Sequence, residues 1–186
     1  MNRKTAMKLF GLLGLLMLLS CGYADRHRNN SSCEQVLVDS LEVRVQDSLF
    51  SNVHYSRSRV LDALTQAQDS QVYYRLLALY GKTFFVSSDF DSILYYNRRV
   101  KEFFRNASQS SESLQSPQWN DVLSDVYNIE GNVWMQLNRP DSAITDYKKA
   151  YEYRLKGKKL HLLPDICINT VSYTHLRAHE TSQDLV

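Results

Sequence analysis

Glycine and proline are scarce in this chain, 6 and 3 among 186 residues. Sheets of many short strands draw on those two residues to reverse direction, so such an architecture is disfavoured and helices are expected. With only 3 cysteines a disulfide-dense scaffold is excluded. Charge of one sign is lacking as well: 22 Lys and Arg stand against 20 Asp and Glu. What is present is globular in kind, 44% hydrophobic and 23% charged, and the length suits one domain with appendages.

The two ends stand apart from the rest. A basic head (Arg3, Lys4, Lys8) precedes an apolar run from Leu9 to Leu19, shorter than the roughly 20 residues that span a bilayer and flanked like a secretory signal. Leu18-Leu19-Ser20-Cys21 resembles the lipobox of bacterial lipoproteins. That resemblance implies a signal peptide over 1–20, lipidation of Cys21 and durable membrane attachment through acyl chains. The alternatives are a plain signal peptide with Cys21 incidental, or an uncleaved anchor. Gly22 is not the Asp that retains enteric lipoproteins at the inner membrane, and 22–26 lacks the acidic cluster resembling surface-export signals of Bacteroidetes. An outer-membrane lipoprotein facing the periplasm is expected. Residues 21–32, rich in Arg, Asn and Ser, read as a flexible tether.

At the other end, Val171-Ser-Tyr-Thr-His-Leu-Arg-Ala-His-Glu-Thr181 resembles a translated transposase sequencing adapter, and Asp184-Leu185-Val186 fits the same frame after an index. Residues 171–186 are therefore expected to be non-native, with the native chain truncated near Thr170. The alternative is a polar tail with His175 and His179 as a helical metal pair. Removing Arg3, Lys4, Lys8 and Arg177 from the basic residues, and Glu180 and Asp184 from the acidic ones, leaves equal numbers of each. A neutral domain gives nucleic-acid binding no electrostatic support. Cys33 and Cys167 remain, and unpaired small hydrophobes are favoured over a bridge.

Between the ends, apolar periodicity marks a series of helices. Val36, Leu37, Leu41, Val45 and Leu49 are placed on one face; Val60, Leu61 and Leu64 point inward from a shorter helix. Val72 to Phe85 reads as a helix buried over much of its circumference. Ser88-Asp89-Phe90-Asp91 has the Ser-x-x-acid form of a helix start, with Ser88 capping a helix that runs to about Arg105. A polar loop, 106–117, leads to a helix carrying Val122, Val126, Ile129, Val133, Trp134 and Leu137. Asn138-Arg139-Pro140-Asp141 then punctuates, Asn138 suiting a left-handed helix end and Pro140 a first turn.

Two stretches repeat one plan: Gly81, Asp91, Ser92, Ile93 and Val100 match Gly131, Asp141, Ser142, Ala143 and Ala150 at a constant offset. Gly131, Ala143, Tyr147 and Ala150 resemble the small, small, aromatic and small positions of the tetratricopeptide repeat, a helical pair of about 34 residues. The match covers roughly 124–157. Trp134 and Leu155 depart from the pattern, as do Ile93 and Asn97 in the first copy, and a third copy begins near Leu163. The resemblance implies an all-α fold over 33–170, of antiparallel helical hairpins stacked as an incomplete α-solenoid. Gly81, Gly131 and Ala143 would let paired helices approach, Tyr147 would fill the gap between hairpins, and Ala150 would admit the next helix.

In such repeats partners lie in a concave groove lined by first helices. Carried over position by position, this implies Arg75 and Lys82 from the first copy and Asp125, Asn128, Asn132 and Gln136 from the second. These groups could bind an extended peptide backbone or carboxylate, or could be merely wet. The tyrosines read mostly as core with the hydroxyl at the rim, and the pairs Arg98-Arg99, Lys148-Lys149 and Lys158-Lys159 as solvent faces.

Reactive constellations are missing before position 171: no glycine-rich phosphate loop, HExxH, CxxC or Ser-x-x-Lys occurs. His27, His54 and His161 are scattered, and Asp89, Asp91 and Asp141 sit where helix starts account for them. No catalytic residue, metal, cofactor or small-molecule substrate is expected. The expected function is a non-enzymatic, membrane-anchored scaffold that binds a protein or peptide in the bacterial envelope. The alternative is the sensory front of a longer signalling protein, with a histidine kinase or helix-turn-helix output domain downstream.

Overall fold

A computed structural model describes residues 34–107 and 116–172. Every regular element among them is helical: α1 (34–48), α2 (Val53–Gln66), α3 (Ser70–Lys82), α4 (Phe90–Ala107), α5 (Pro117–Gln136), α6 (Pro140–Lys156), a 3₁₀ turn (Leu160–Leu162) and α7 (163–172). The expected signal peptide over 1–20, Cys21, the expected tether, Cys33 and 173–186 lie outside the described residues. Val171 and Ser172 close α7, with Val171 exposed.

All three prolines of the chain lie in a first helical turn, Pro117 of α5, Pro140 of α6 and Pro164 of α7, where a missing N–H costs no hydrogen bond. The turns before α4 and α6 are built alike. Ser88 (φ 53°) and Asn138 (φ 54°) both take the left-handed conformation. Asp89 N–H then donates to Phe84 C=O as Arg139 N–H donates to Trp134 C=O, satisfying carbonyls that a helix end leaves open. Ser88 is thus the terminator of the preceding turn and not the cap of α4. The cap is Asp89, whose Oδ1 accepts from Ser92 N–H (3.1 Å) and Oδ2 from Ser92 Oγ–H (2.7 Å); these bonds hold its carboxyl below the ordinary value.

α3 packs along α4 and α5 along α6, α2 rests on α3, and α5 touches both α3 and α4. One core runs from Val38 and Val45 of α1 and Leu49 just after it through Val60, Leu76 and Val100 to Trp119 and Val126. The inward face of the first helix keeps the expected Leu41, Val45 and Leu49 but begins differently: Val36 (65%) and Leu37 (60%) are exposed, whereas Val38 is buried. Val38, Leu41, Val45 and Leu49 form the i, i+3, i+7, i+11 stripe, and a stripe begun at Val36 is rotated off it by more than a residue's width. Leu61 (45% exposed) likewise lies on the outer side of α2. α3 stops at Lys82, not Phe85, because Thr83 Oγ1–H turns back to Tyr80 C=O (2.7 Å) and residues 83–88 form turns.

Candidate functional site: a groove between α1, α3 and α5

Alternate helices line the largest groove around the expected site. Val38, Ala78, Leu79, Val122, Val126 and Ile129 make an apolar floor holding about 30 Å³. Above it opens a space of about 490 Å³ between α1, α3, the start of α5 and the connection from α6 to α7. Charged side chains stand around the rim, and most are already paired. Arg75, with only 9% of its side chain exposed, donates to Asp39 (2.6 Å) and approaches Glu42 (3.8 Å). Lys82 Nζ donates to Gln46 Oε1 (2.5 Å), and Lys159 Nζ to Glu42 Oε1 (2.5 Å).

Of the six expected groove residues, three meet here: Arg75, Lys82 and Asp125 all line the space. The other three are elsewhere. Asn128 Oδ1 accepts from Asn169 of α7 (3.1 Å), Asn132 Oδ1 accepts from Tyr147 Oη–H (2.8 Å), and Gln136 is exposed in the last turn of α5. On α5 the side carrying Asp125 opens on this space, whereas at Asn128 and Asn132 it is met by Asn169 of α7 and Tyr147 of α6.

The polar centre that the sequence did not reveal is Asp121. It is buried, and its Oδ1 accepts from Arg154 Nη1 (2.9 Å) and Lys159 N–H (3.1 Å) while Oδ2 accepts from Lys158 N–H (2.9 Å). Arg154, 2% exposed, donates its other branch to Asp125. Gly157 makes room: a Cβ there would lie 2.8 Å from Asp121 Cγ. This buried ion pair seats the α6–α7 connection against the groove. A clue was present, since Arg154 continues the inward stripe of Tyr147 and Ala150, and a cation on a buried stripe demands a carboxylate partner.

The packing residues are buried without exception: Gly81, Gly131, Ala143, Tyr147 and Ala150. A Cβ on Gly131 would sit 2.6 Å from Tyr147 Cδ1, so the tyrosine ring lies against Gly131 itself, between α5 and α6. This differs from a filler between successive pairs. At the matching position of the first copy, Asn97 is buried and its amide donates to Val126 C=O (3.3 Å), joining α4 to α5.

A second polar cluster bridges α4, α5 and α6. Glu130, 4% exposed in its side chain, meets Lys101 (2.5 Å); Asp146 accepts from Trp134 Nε1–H (2.9 Å). Burial pushes the Glu130 carboxyl above its ordinary value, against the pull of Lys101. Tyr127 stacks on Tyr153 at 5.7 Å, and its hydroxyl is pushed up to about 12, first by burial and then by Tyr153 and nearby carboxylates. Burial alone lifts Tyr147 to about 12. These tyrosines are structural, whereas Tyr95 and Tyr151 lie exposed. Lys148 and Lys158 are exposed as solvent-face residues, but Lys159 is drawn into the groove rim.

His54 and His161 are exposed and far from forming a metal-binding set; among the described residues no group of three potential ligands converges, and no helix is long and apolar enough to cross a membrane. No protein-family model, curated protein or solved structure matches the chain.

Proposed function

We propose that this protein is a non-enzymatic docking scaffold, tethered to a bacterial envelope membrane through Cys21, which receives a segment of a protein partner in the groove between α1, α3 and α5. The observation that carries this reading is the groove's construction: alternate helices contribute its walls, its floor is aliphatic, and most of its rim charges are held in ion pairs. An aliphatic floor beneath polar walls suits a polypeptide that buries small apolar side chains and leaves its backbone near hydrogen-bonding groups. The same alternation, with matched left-handed turns at Ser88 and Asn138 and a helix packed on each of Gly81 and Gly131, supports helical hairpins stacked in the manner of tetratricopeptide repeats.

A photo-crosslinking amino acid placed at Ala78 in the floor tests the docking role in cells making the full chain. Adducts with a protein partner are expected there and not from the same group at exposed Tyr151. Equal adducts at the two sites, or none at Ala78, would overturn it. Attachment is tested separately: palmitate labelling should disappear in Cys21→Ser, and labelling that persists refutes lipidation.

A further inference from the structure

An ion pair joins α1 to the α6–α7 connection across the groove, beside the Arg75–Asp39 pair that joins α3 to α1. Glu42 projects from α1; Lys159 projects from the α6–α7 connection; their side-chain atoms meet at 2.5 Å, and both residues line the groove. The two ends are held differently. Lys159 is seated firmly, because its own backbone N–H and that of Lys158 are bound by the buried Asp121, itself fixed by Arg154. Glu42 has a fallback, because Arg75 of α3 stands 3.8 Å from its other oxygen. Letting go of Lys159 therefore strands no buried charge: Glu42 keeps Arg75, and Lys159, 34% exposed in its side chain, turns to water.

We propose that the Glu42–Lys159 pair is an electrostatic latch across the groove, and that occupation of the groove requires its release. This rests on the reading of the groove as a docking site and adds its regulation. An extended chain lying on the aliphatic floor would have to pass where the two side chains meet. Both ends of the pair are solvent-accessible, at 34% and 28% exposure, so ionic strength and charged side chains of a partner act on it directly. The buried Arg154–Asp121 pair beneath it is shielded from both, so the latch can open while its hinge stays in place.

The test uses the full chain and has two arms. In the first, acylation of lysines by a water-soluble activated ester is followed by mass spectrometry, with exposed Lys158 as the internal reference for Lys159. Lys159 should react about two- to fivefold more slowly than Lys158 at low salt, the range an exposed ion pair is worth, and the two should converge in 1 M NaCl and in Glu42→Gln. In the second, the neutral dye Nile red probes the floor. Its affinity should rise by about the same factor in Glu42→Gln and in Lys159→Gln, and the gain should vanish when Ala78→Trp fills the floor. Equal acylation rates in the unmodified chain overturn the latch, as does a dye affinity that ignores both substitutions. If both arms respond while Ala78 captures no partner, the docking role fails and the latch stands.

Discussion

The α3–α4 and α5–α6 pairs are two answers to one plan. Both keep a glycine where helices cross (Gly81, Gly131) and both turn through a left-handed residue (Ser88, Asn138). They differ in what fills the matched interior positions. Where the second pair has Asp121, Tyr147 and Arg154, the first has Gln71, Asn97 and Phe104. The second pair closes on itself, through a buried ion pair and a ring laid on glycine. The first reaches outward: Asn97 binds a carbonyl of α5, Gln71 Oε1 accepts from Trp119 Nε1–H (3.3 Å), and Phe104 lies near the ring of Trp119. Matched backbones thus leave each pair free to spend its polar groups internally or on its neighbour.

Substitutions at matched positions can break that contrast. Arg154→Met leaves the Asp121 carboxylate buried without its cation and should cost about 3–5 kcal/mol in urea denaturation, whereas Phe104→Leu, at the equivalent half-buried site, should cost about 1 kcal/mol. Similar losses at the two sites would show that the ion pair does not hold the second pair together. Next, Gly131→Ala drives a Cβ into the Tyr147 ring and should destabilise by about 2–3 kcal/mol. Gly81→Ala meets Tyr96 Cβ only at 3.1 Å, and the gain of about 1 kcal/mol in helix propensity should bring the net change close to zero.

Glu130, where the first pair has Tyr80, gives the contrast a pH dependence. Its folded carboxyl titrates above the ordinary value because burial disfavours the charge. The folded state therefore binds a proton at higher pH than the unfolded chain, and Glu130's contribution to stability should rise as pH falls from that elevated value toward 4.5, then level off. Glu130→Gln should abolish that component of a stability–pH profile; an unchanged profile would remove Glu130 from the account. The smallest effect concerns caps. α4 begins at a capping Asp89, whereas Arg139 at the matching place caps α6 with no side-chain bond. Arg139→Asp should raise the thermal midpoint, by about 0.5–1 kcal/mol of stability, less whatever the Arg139 contact with Trp134 contributes.

Much of the helical layout was legible because it is local. Apolar spacing located the helices, and the prolines and Asn138 marked their boundaries. Errors arose where a pattern admits two phases. Val36 and Val38 are equally apolar, and only the neighbouring helices α2 and α3 choose between them; Ser88 and Asp89 can both cap, and the left-handed turn assigns the role to Asp89. The groove was half legible, since Arg75, Lys82 and Asp125 converge while Asn128, Asn132 and Gln136 do not.

The amino-acid order alone determined that the described chain is helical, which stretches form its helices, and that glycine stands at two matched places, because backbone preference and short-range periodicity act within a few residues. Tertiary structure decided which charges are buried and which face the groove. Asp121 and Arg154, or Glu42 and Lys159, acquire their roles only when distant helices meet, since the energy of a charge depends on its partner and on the water it loses.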